Sequence, residues 1–161
     1  LRAYFFSDKR HFWHEELAWN MRMSSLQAAL GLAQLGRLNE LVGKRRTNRD
    51  YYNRGLASLS REIILPTEKN YAFSVYWMYG ILLKQKGLRD KLMKYLEKNG
   101  IETRPFFFPM HWQPVHREKG KYPMADFLGK QGLYLPSSSG LGRKEKDRVI
   151  EAIKKFFKSL K

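Results

Sequence analysis

Two polar side chains, Asn20 and Arg22, stand two positions apart in the sequence and could bind one anion together. In an extended segment alternate residues point the same way, so an amide and a guanidinium at this spacing could reach the same phosphate or carboxylate. Trp19, Met21 and Met23 would then anchor the opposite face. A polar loop with a solvated arginine is the simpler interpretation of these residues alone, and the rest of the chain must decide between the two.

The other reactive patterns in the sequence are weaker. His11 and His14, followed by two glutamates, have the side chains of metal ligands but no further ligands at matching spacing, so we predict no metal site. The chain has no Walker phosphate loop, and Gly140 and Gly142 lack the rest of a dinucleotide fingerprint. Residues 137–140 do not have the pattern of a nucleophile elbow. These segments are better explained as turns and helix caps.

The composition indicates anionic partners and a reducing compartment. Lys and Arg number 31 against 15 Asp and Glu, a formal charge of +16, which favours nucleic acid, an anionic membrane surface or phosphorylated small molecules. The chain has no cysteine, which excludes a disulfide framework and fits a cytoplasmic protein. Its apolar runs are much shorter than the roughly 20 residues that span a bilayer, so we expect a soluble protein.

A long helix follows the Asn20 and Arg22 stretch. Apolar residues recur at helical spacing from Ser24, with Ser24 or Ser25 as the N-cap, and the pattern continues to about Arg54. This is the longest helix that the sequence predicts. Its small residues, among them Gly31 and Gly43, would suit close packing against another subunit.

The remaining elements alternate between strands and helices. We predict a short strand over 62–66, a central strand over 72–83, a strand over 101–105 and an edge strand over 132–136. Helices are predicted from Leu88 to a stop at Asn99 and Gly100, over 124–129, and along an amphipathic segment from Val149 to Leu160. This order predicts an α+β fold in which helices pack on a small, mostly antiparallel sheet.

Several motifs, in one order, resemble the DegT/DnrJ/EryC1/StrS aminotransferase family. Residues 17–35, LAWNMRMSSLQAALGLAQL, resemble the segment with which that family enters its C-terminal half. The motifs IETRP at 101–105, PMH at 109–111 and GLYLP at 132–136 follow in the family's order, before the closing helix. Within the family, residues 104–111 look most like the perosamine-synthase branch, which aminates a GDP-linked 4-keto-6-deoxy sugar.

The resemblance implies the small C-terminal domain of an aspartate-aminotransferase-like fold that uses pyridoxal 5′-phosphate (PLP). Residues 1–23 would be an interdomain, active-site segment and residues 24–161 the small domain, while the large PLP-binding domain is absent from this chain. The chain has no initiator Met and is expected to be a piece of a longer protein. Because the family's Schiff-base lysine lies upstream on the large domain, the chain alone is expected to be inactive. Glutamate would supply the amino group to the C4 ketone of a nucleotide-linked sugar.

The resemblance also assigns roles to individual residues. Asn20 matches the family's asparagine that contacts the PLP phosphate of the neighbouring subunit in a homodimer, and Arg22 matches the arginine offered to substrate across the same interface. Arg104 and His111 match the segment that lines the sugar side. The chain departs from the family at Ala18, where relatives usually have Gly, and at Met21, where an aromatic residue is commoner.

Two other functions are compatible with the sequence. The charge of +16 and aromatic residues such as Tyr51, Tyr52 and those at 106–108 would also suit a basic nucleic-acid-binding module, although the aromatics are scattered and no known binding motif is visible. The second alternative is a non-catalytic relative of the family that acts as a regulator or scaffold.

Overall fold

A computed structural model of the chain describes residues 22–116 and 120–160. By their contacts, the residues fall into two units, 1–39 and 40–161. The described part of the first unit begins with helix α1, Ser25–Leu35. Ser24 caps this helix as predicted, because its hydroxyl accepts from the backbone N–H of Gln27 while the Gln27 side chain accepts from the N–H of Ser24. This reciprocal pair is a capping box, which satisfies two N–H groups that a helix start leaves unpaired.

The single helix predicted to run to Arg54 is wrong. α1 stops at Gly36, and the N–H of Arg37 bonds to the carbonyl of Gln34 at 3.0 Å in a tighter turn. A separate helix α2 spans Leu38–Leu56 and is followed by a 3₁₀ turn at Ala57–Leu59. Glycine lowers helix propensity because its backbone is free in the unfolded chain, so a break at Gly36 has a physical cause. Of the described helices, α2 is the longest, rather than the helix that starts at Ser25.

Within the described residues, four short strands form one antiparallel sheet in the order β1-β2-β4-β3. Their bounds are Ile63–Ile64 for β1, Tyr79–Leu83 for β2, Arg104–Pro105 for β3 and Gly132–Leu135 for β4. β2 lies between β1 and β4, which confirms that it is central. β4 pairs with both β2 and β3, so the prediction of an edge strand over 132–136 is wrong.

The described residues form three further helices: α3 at Leu88–Lys98, α4 at Pro123–Gln131 and α5 at Arg143–Lys158. Helices α3 and α4 contact strands of the sheet, and α5 packs against α3. α3 ends where predicted, at Asn99, and Gly100 adopts the left-handed conformation that glycine accepts readily. The core gathers apolar side chains of β2, β4 and helices α2, α3 and α5. Its fully buried members include Tyr52, Leu56, Tyr79, Ile81, Leu92, Leu133 and Ile153.

The strand predicted over 72–83 is correct only from Tyr79 onward. Residues 72–78 form irregular structure in which Tyr76 has a φ of 47°, a left-handed value that a β-ladder does not allow. This segment bonds to side chains of its neighbours: Glu68 accepts from the N–H of Ser74 at 2.6 Å and Arg46 donates to the Ser74 carbonyl at 2.6 Å. Among the described residues, no helix is both long and apolar enough to cross a membrane.

Candidate functional site

A groove of about 520 Å³ lies beside the pair of strands β3 and β4. Arg104 of β3 stands opposite Tyr134 of β4 in the ladder, so the two residues occupy neighbouring positions in this groove. The segment before β2 and the segment after β4 form the other walls. The lining residues are Trp77, Met78, Glu102, Thr103, Arg104, Pro105, Phe107, Tyr134, Leu135 and Pro136.

Arg104 lines the groove, and its ion pair within the protein is weak enough for a ligand to replace it. Its side chain is 73% exposed, and its ion-pair partner is the carboxylate of Glu102 at 3.3 Å, which is 81% exposed. Ion pairs between exposed side chains contribute little, typically about 0–1 kcal/mol, because water and salt screen them. The guanidinium can therefore exchange this partner for a phosphate or carboxylate of a ligand, as the sequence prediction requires.

Aromatic rings form the wall next to Arg104. Phe106 stacks on Tyr134 with ring centroids 4.3 Å apart, and Phe107 lies tilted against the same tyrosine at 5.8 Å. Phe106 fits there because Gly80 and Gly132 have no side chains: a Cβ at Gly132 would lie 2.2 Å from the Phe106 ring. Burial raises the pKa of Tyr134 above its ordinary value.

His111 sits in a 3₁₀ turn, Met110–Trp112, and its side chain is directed at helix α4. Its Nε2 lies 2.8 Å from Oδ1 of Asp126, and the indole N–H of Trp112 donates to the same oxygen at 2.7 Å. These two hydrogen bonds lower the pKa of Asp126, and the one with His111 has the larger effect. The ionised carboxylate holds both rings in place. His111 is not one of the described residues that line the groove of Arg104.

The two residues of the opening motif lie elsewhere in the chain. Asn20 lies outside the described residues. Arg22 is described within the unit of residues 1–39, exposed and two positions before the capping serine. Of the predicted site residues within 40–161, Arg104 lines the groove and His111 lies in the 3₁₀ turn Met110–Trp112.

Sequence reasoning missed Trp77 and Tyr134 as groove residues. Tyr134 could have been found from the alternation in β4, where Leu133 and Leu135 are buried and the residue between them must face the other side of the sheet. Trp77 was assigned to a strand, whereas its side chain is 63% exposed in irregular structure. Only the tertiary contacts of residues 72–78 reveal this.

Three of the five aromatic residues named for the nucleic-acid-binding alternative are engaged within the chain. Tyr52 is fully buried, Tyr51 donates to Asp147 at 2.5 Å, and Phe106 is stacked on Tyr134. Phe107 and Phe108 remain exposed. Stacking on bases requires free ring faces along a strand path, so this arrangement gives the nucleic-acid alternative little support.

Comparison with known proteins identifies the family. The model of the DegT/DnrJ/EryC1/StrS aminotransferase family matches residues 2–154. The chain belongs to this family. It is 35% identical over 149 residues to GDP-perosamine synthase of Escherichia coli O157:H7, covering 92% of this chain and 40% of that protein. It is 37% identical over 158 residues to GDP-perosamine synthase of Caulobacter vibrioides, covering 95% of this chain and 42% of that protein. The chain thus spans about two fifths of these relatives.

The fold agrees with this assignment. The crystal structure of S. venezuelae DesV in complex with a ketimine intermediate matches with a TM-score of 0.82 and 28% identity, covering 96% of this chain and 42% of that one. The expected α+β fold of a PLP-dependent sugar aminotransferase is confirmed, with a small sheet that is antiparallel throughout the described strands.

Members of the family are PLP-dependent aminotransferases. The aldehyde of PLP forms a Schiff base with the amine of a lysine. The described residues that line the Arg104 groove include one arginine and one glutamate but no lysine. Among the described residues, the groove therefore does not supply the amine that meets the PLP aldehyde. It fits a ligand with an anionic group for Arg104 and an apolar or flat face for the aromatic wall.

Proposed function

We propose that this chain is the C-terminal part of an aminotransferase that transfers an amino group, from glutamate, to the C4 ketone of a nucleotide-linked 4-keto-6-deoxy sugar. The protein would act in the cytoplasm as a homodimer. The observation that carries the proposal is the exposed guanidinium of Arg104 in an aromatic groove. It occurs in a chain that is 35% and 37% identical to two GDP-perosamine synthases.

In the proposed function, Arg104 and His111 bind the sugar part of the substrate. A guanidinium offers several N–H donors in a planar fork that suits the oxygens of a diphosphate or the hydroxyls of a sugar. The Nε2 of His111 is engaged by the Asp126 carboxylate, which favours the tautomer with the proton on that nitrogen. Nδ1 is then the ring nitrogen that can accept a hydrogen bond from a sugar hydroxyl.

The proposal gives Asn20 and Arg22 the roles expected from the family. The Asn20 amide would donate to the PLP phosphate of the neighbouring subunit, and Arg22 would bind an anionic group of the substrate across the same interface. When bound, PLP supplies the electron sink for amino transfer, and the protein supplies binding and orientation.

The experiment is a kinetic comparison in the full-length protein. We expect GDP-4-keto-6-deoxy sugar and glutamate to yield an amino sugar, and Arg104→Gln to raise the KM for the sugar nucleotide. The loss of one charge-assisted hydrogen bond, about 1.5–3 kcal/mol, corresponds to a roughly ten- to hundred-fold change. Arg148→Gln is the control, because Arg148 is an exposed arginine that donates to the carbonyl of Asn99 outside the groove.

Two outcomes would contradict the proposal. If no nucleotide-linked 4-keto sugar is aminated by the PLP-loaded full-length protein, the reaction is wrong and the regulatory alternative gains support. If amination occurs but Arg104→Gln leaves the KM of every such sugar at the level of the Arg148→Gln control, the groove is not the sugar side of the site.

A further inference from the structure

One face of α2 holds the segment that follows β4. Arg45, Asn48 and Tyr52 are three and four residues apart, so they share one face of the helix. The Tyr52 hydroxyl donates to the Pro136 carbonyl at 2.8 Å, and the Asn48 side-chain amide donates to the Ser138 carbonyl at 2.9 Å. Arg45 donates to the Ser137 carbonyl at 3.4 Å. Three consecutive carbonyls of one loop are thus held by one helix.

The same face also holds the segment before β2. Arg45 donates to the carbonyl of Trp77 as well as to that of Ser137. The Ser137 hydroxyl accepts from the backbone N–H of Tyr79 at 3.2 Å, which ties the two segments to each other. Trp77 and Pro136, one from each segment, are both lining residues of the Arg104 groove. The α2 face therefore sets the position of the groove wall that β3 does not form.

Asn48 is held in one orientation by a buried lysine. Nζ of Lys146, on α5, donates to Oδ1 of Asn48 at 3.1 Å and lies 4.9 Å from the centre of the Tyr51 ring. Asn48 is 3% exposed and Lys146 is 8% exposed. An ammonium group has donors only, so it selects the amide oxygen and leaves the amide nitrogen for the Ser138 carbonyl. Burying a charge is costly, and a lysine kept in this place needs its polar partner.

We propose that Asn48, oriented by Lys146, is a positioning residue for the sugar-nucleotide groove, acting through the loop 136–138 and Trp77 without touching the ligand. This rests on the proposed function of the groove. A groove wall that binds the substrate equally strongly in the ground state and in the transition state contributes to KM and not to kcat. Loosening the wall should therefore raise KM and leave kcat unchanged.

The test uses Asn48→Asp in the full-length protein. The carboxylate keeps an oxygen for Lys146 but removes the N–H donor to the Ser138 carbonyl. Tyr52→Phe is a second and milder variant, which keeps the buried ring and removes only the hydroxyl bonded to Pro136. Loss of a hydrogen bond of about 0.5–1.5 kcal/mol should raise the KM for the sugar nucleotide about three- to ten-fold, with kcat within about two-fold.

Tyr79→Phe is a matched control for Tyr52→Phe. The two tyrosines are buried to the same degree, and their rings lie 4.8 Å apart in one core. The Tyr79 hydroxyl donates to the side chain of Asn53 at 2.6 Å rather than to the loop. A purely structural effect should appear equally in both phenylalanine variants, whereas the positioning role predicts a change in KM for Tyr52→Phe alone.

A second readout does not depend on activity. The N–H groups of Tyr79 and Leu141 bond to Ser137 Oγ and to the Ser138 carbonyl, so their hydrogen exchange reports the loop directly. Asn48→Asp should speed exchange at both amides and leave Ile101, whose N–H bonds to Leu96, unchanged. Faster exchange with unchanged KM in an active enzyme would overturn the proposal, as would unchanged exchange. If the protein aminates no nucleotide sugar, the proposed function fails, and the exchange result still decides whether Asn48 positions the loop.

Discussion

Glu68 is a carboxylate that accepts hydrogen bonds from several surrounding residues. Both of its oxygens accept from the Arg46 guanidinium, at 2.9 and 3.0 Å, and Arg49 adds a contact at 3.3 Å. The Arg46 hydrogen bonds, with the backbone N–H of Ser74, lower the pKa of Glu68 to about 2. Arg46 also stacks on Phe73 at 4.0 Å, so the cluster fixes the irregular segment before β2 on α2.

This pKa predicts acid sensitivity of a defined sign. A carboxyl group whose pKa is lower in the folded state than its ordinary value of 4.5 stabilises the fold above that value, and the contribution is lost as pH falls toward about 2. The full-length protein should be more stable than its Glu68→Gln variant at pH 7. The gap should narrow from about pH 4.5 to about pH 2 in urea unfolding monitored across pH.

Glu102→Gln is the control for this measurement. Glu102 is 81% exposed and pairs with Arg104 at 3.3 Å on the surface. Its replacement should leave stability nearly unchanged at every pH, because an exposed pair is screened. A pH-independent gap for Glu68→Gln would show that the ion pair with Arg46 is not what stabilises the segment.

At the scale of the elements, the sequence predicts helix ends that depend on a few neighbouring residues, but not strand positions that depend on distant contacts. The start of α1 at Ser24 and the end of α3 at Asn99 and Gly100 follow from capping and backbone preferences that act over a few residues. The edge position assigned to residues 132–136 was wrong, because which strands flank β4 depends on chain segments far away in sequence. Periodicity equally could not show that Arg46 and Glu68 hold residues 72–78 outside the sheet.

The candidate site likewise contains residues that the sequence predicts and residues that only the tertiary structure reveals. Arg104 is predicted as a site residue from a motif, and it lines a groove. The segments of Trp77 and Pro136 are held to α2 by hydrogen bonds from Arg45 and Tyr52. Sequence patterns cannot predict these two hydrogen bonds, because the residues that form them are 32 and 84 positions apart in the chain.

The packing of Phe106 on two strands leads to a prediction about the sheet. A Cβ at Gly132 would lie 2.2 Å from the Phe106 ring and 2.5 Å from the Leu128 carbonyl. Gly132→Ala must therefore displace the ring and the backbone of α4, and overpacking of this kind costs about 1–3 kcal/mol. Chemical unfolding of the full-length protein should show this loss, together with a raised KM for the sugar nucleotide, because Phe106 supports Tyr134.

Gly140→Ala is the matched change for this prediction. The nearest atom to a Cβ at Gly140 is the Ser138 hydroxyl at 3.9 Å, an ordinary contact distance. This variant should unfold at the same denaturant concentration as the unaltered protein or slightly above it. Equal stability of the two alanine variants would mean that Phe106 is free to move away from the sheet.

At the scale of the whole molecule, the surface of the described chain points to association. Helix α1 buries none of its residues in the described part of the chain, and Phe107 and Phe108 are exposed. Apolar surface of this kind marks sites where other protein surfaces bind. The exposed apolar surface agrees with the proposed homodimer, in which residues of one subunit would complete the site of the other.

Mixed dimers of the full-length protein test that arrangement. One subunit would carry Asn20→Ala and Arg22→Ala, and the other would lack the lysine that holds PLP. If Asn20 and Arg22 act across the interface, one site of the mixed dimer combines an intact lysine with an intact asparagine and arginine, while the other lacks all three. Activity should therefore return in purified mixed dimers. The variant without the lysine is inactive alone because it lacks the amine that PLP chemistry needs. The Asn20→Ala, Arg22→Ala variant loses nearly all activity alone because each of its two lost contacts to an anion costs about 1.5–3 kcal/mol.

The controls are the two homodimers, purified and mixed under conditions that prevent subunit exchange, which should stay inactive. If the residues instead serve their own subunit, neither site of the mixed dimer is complete, because the intact lysine then shares its site with the altered residues. Inactive mixed dimers of verified composition would therefore show that Asn20 and Arg22 act within one chain. Recovery of activity would show that the motif of this chain completes the site of its partner.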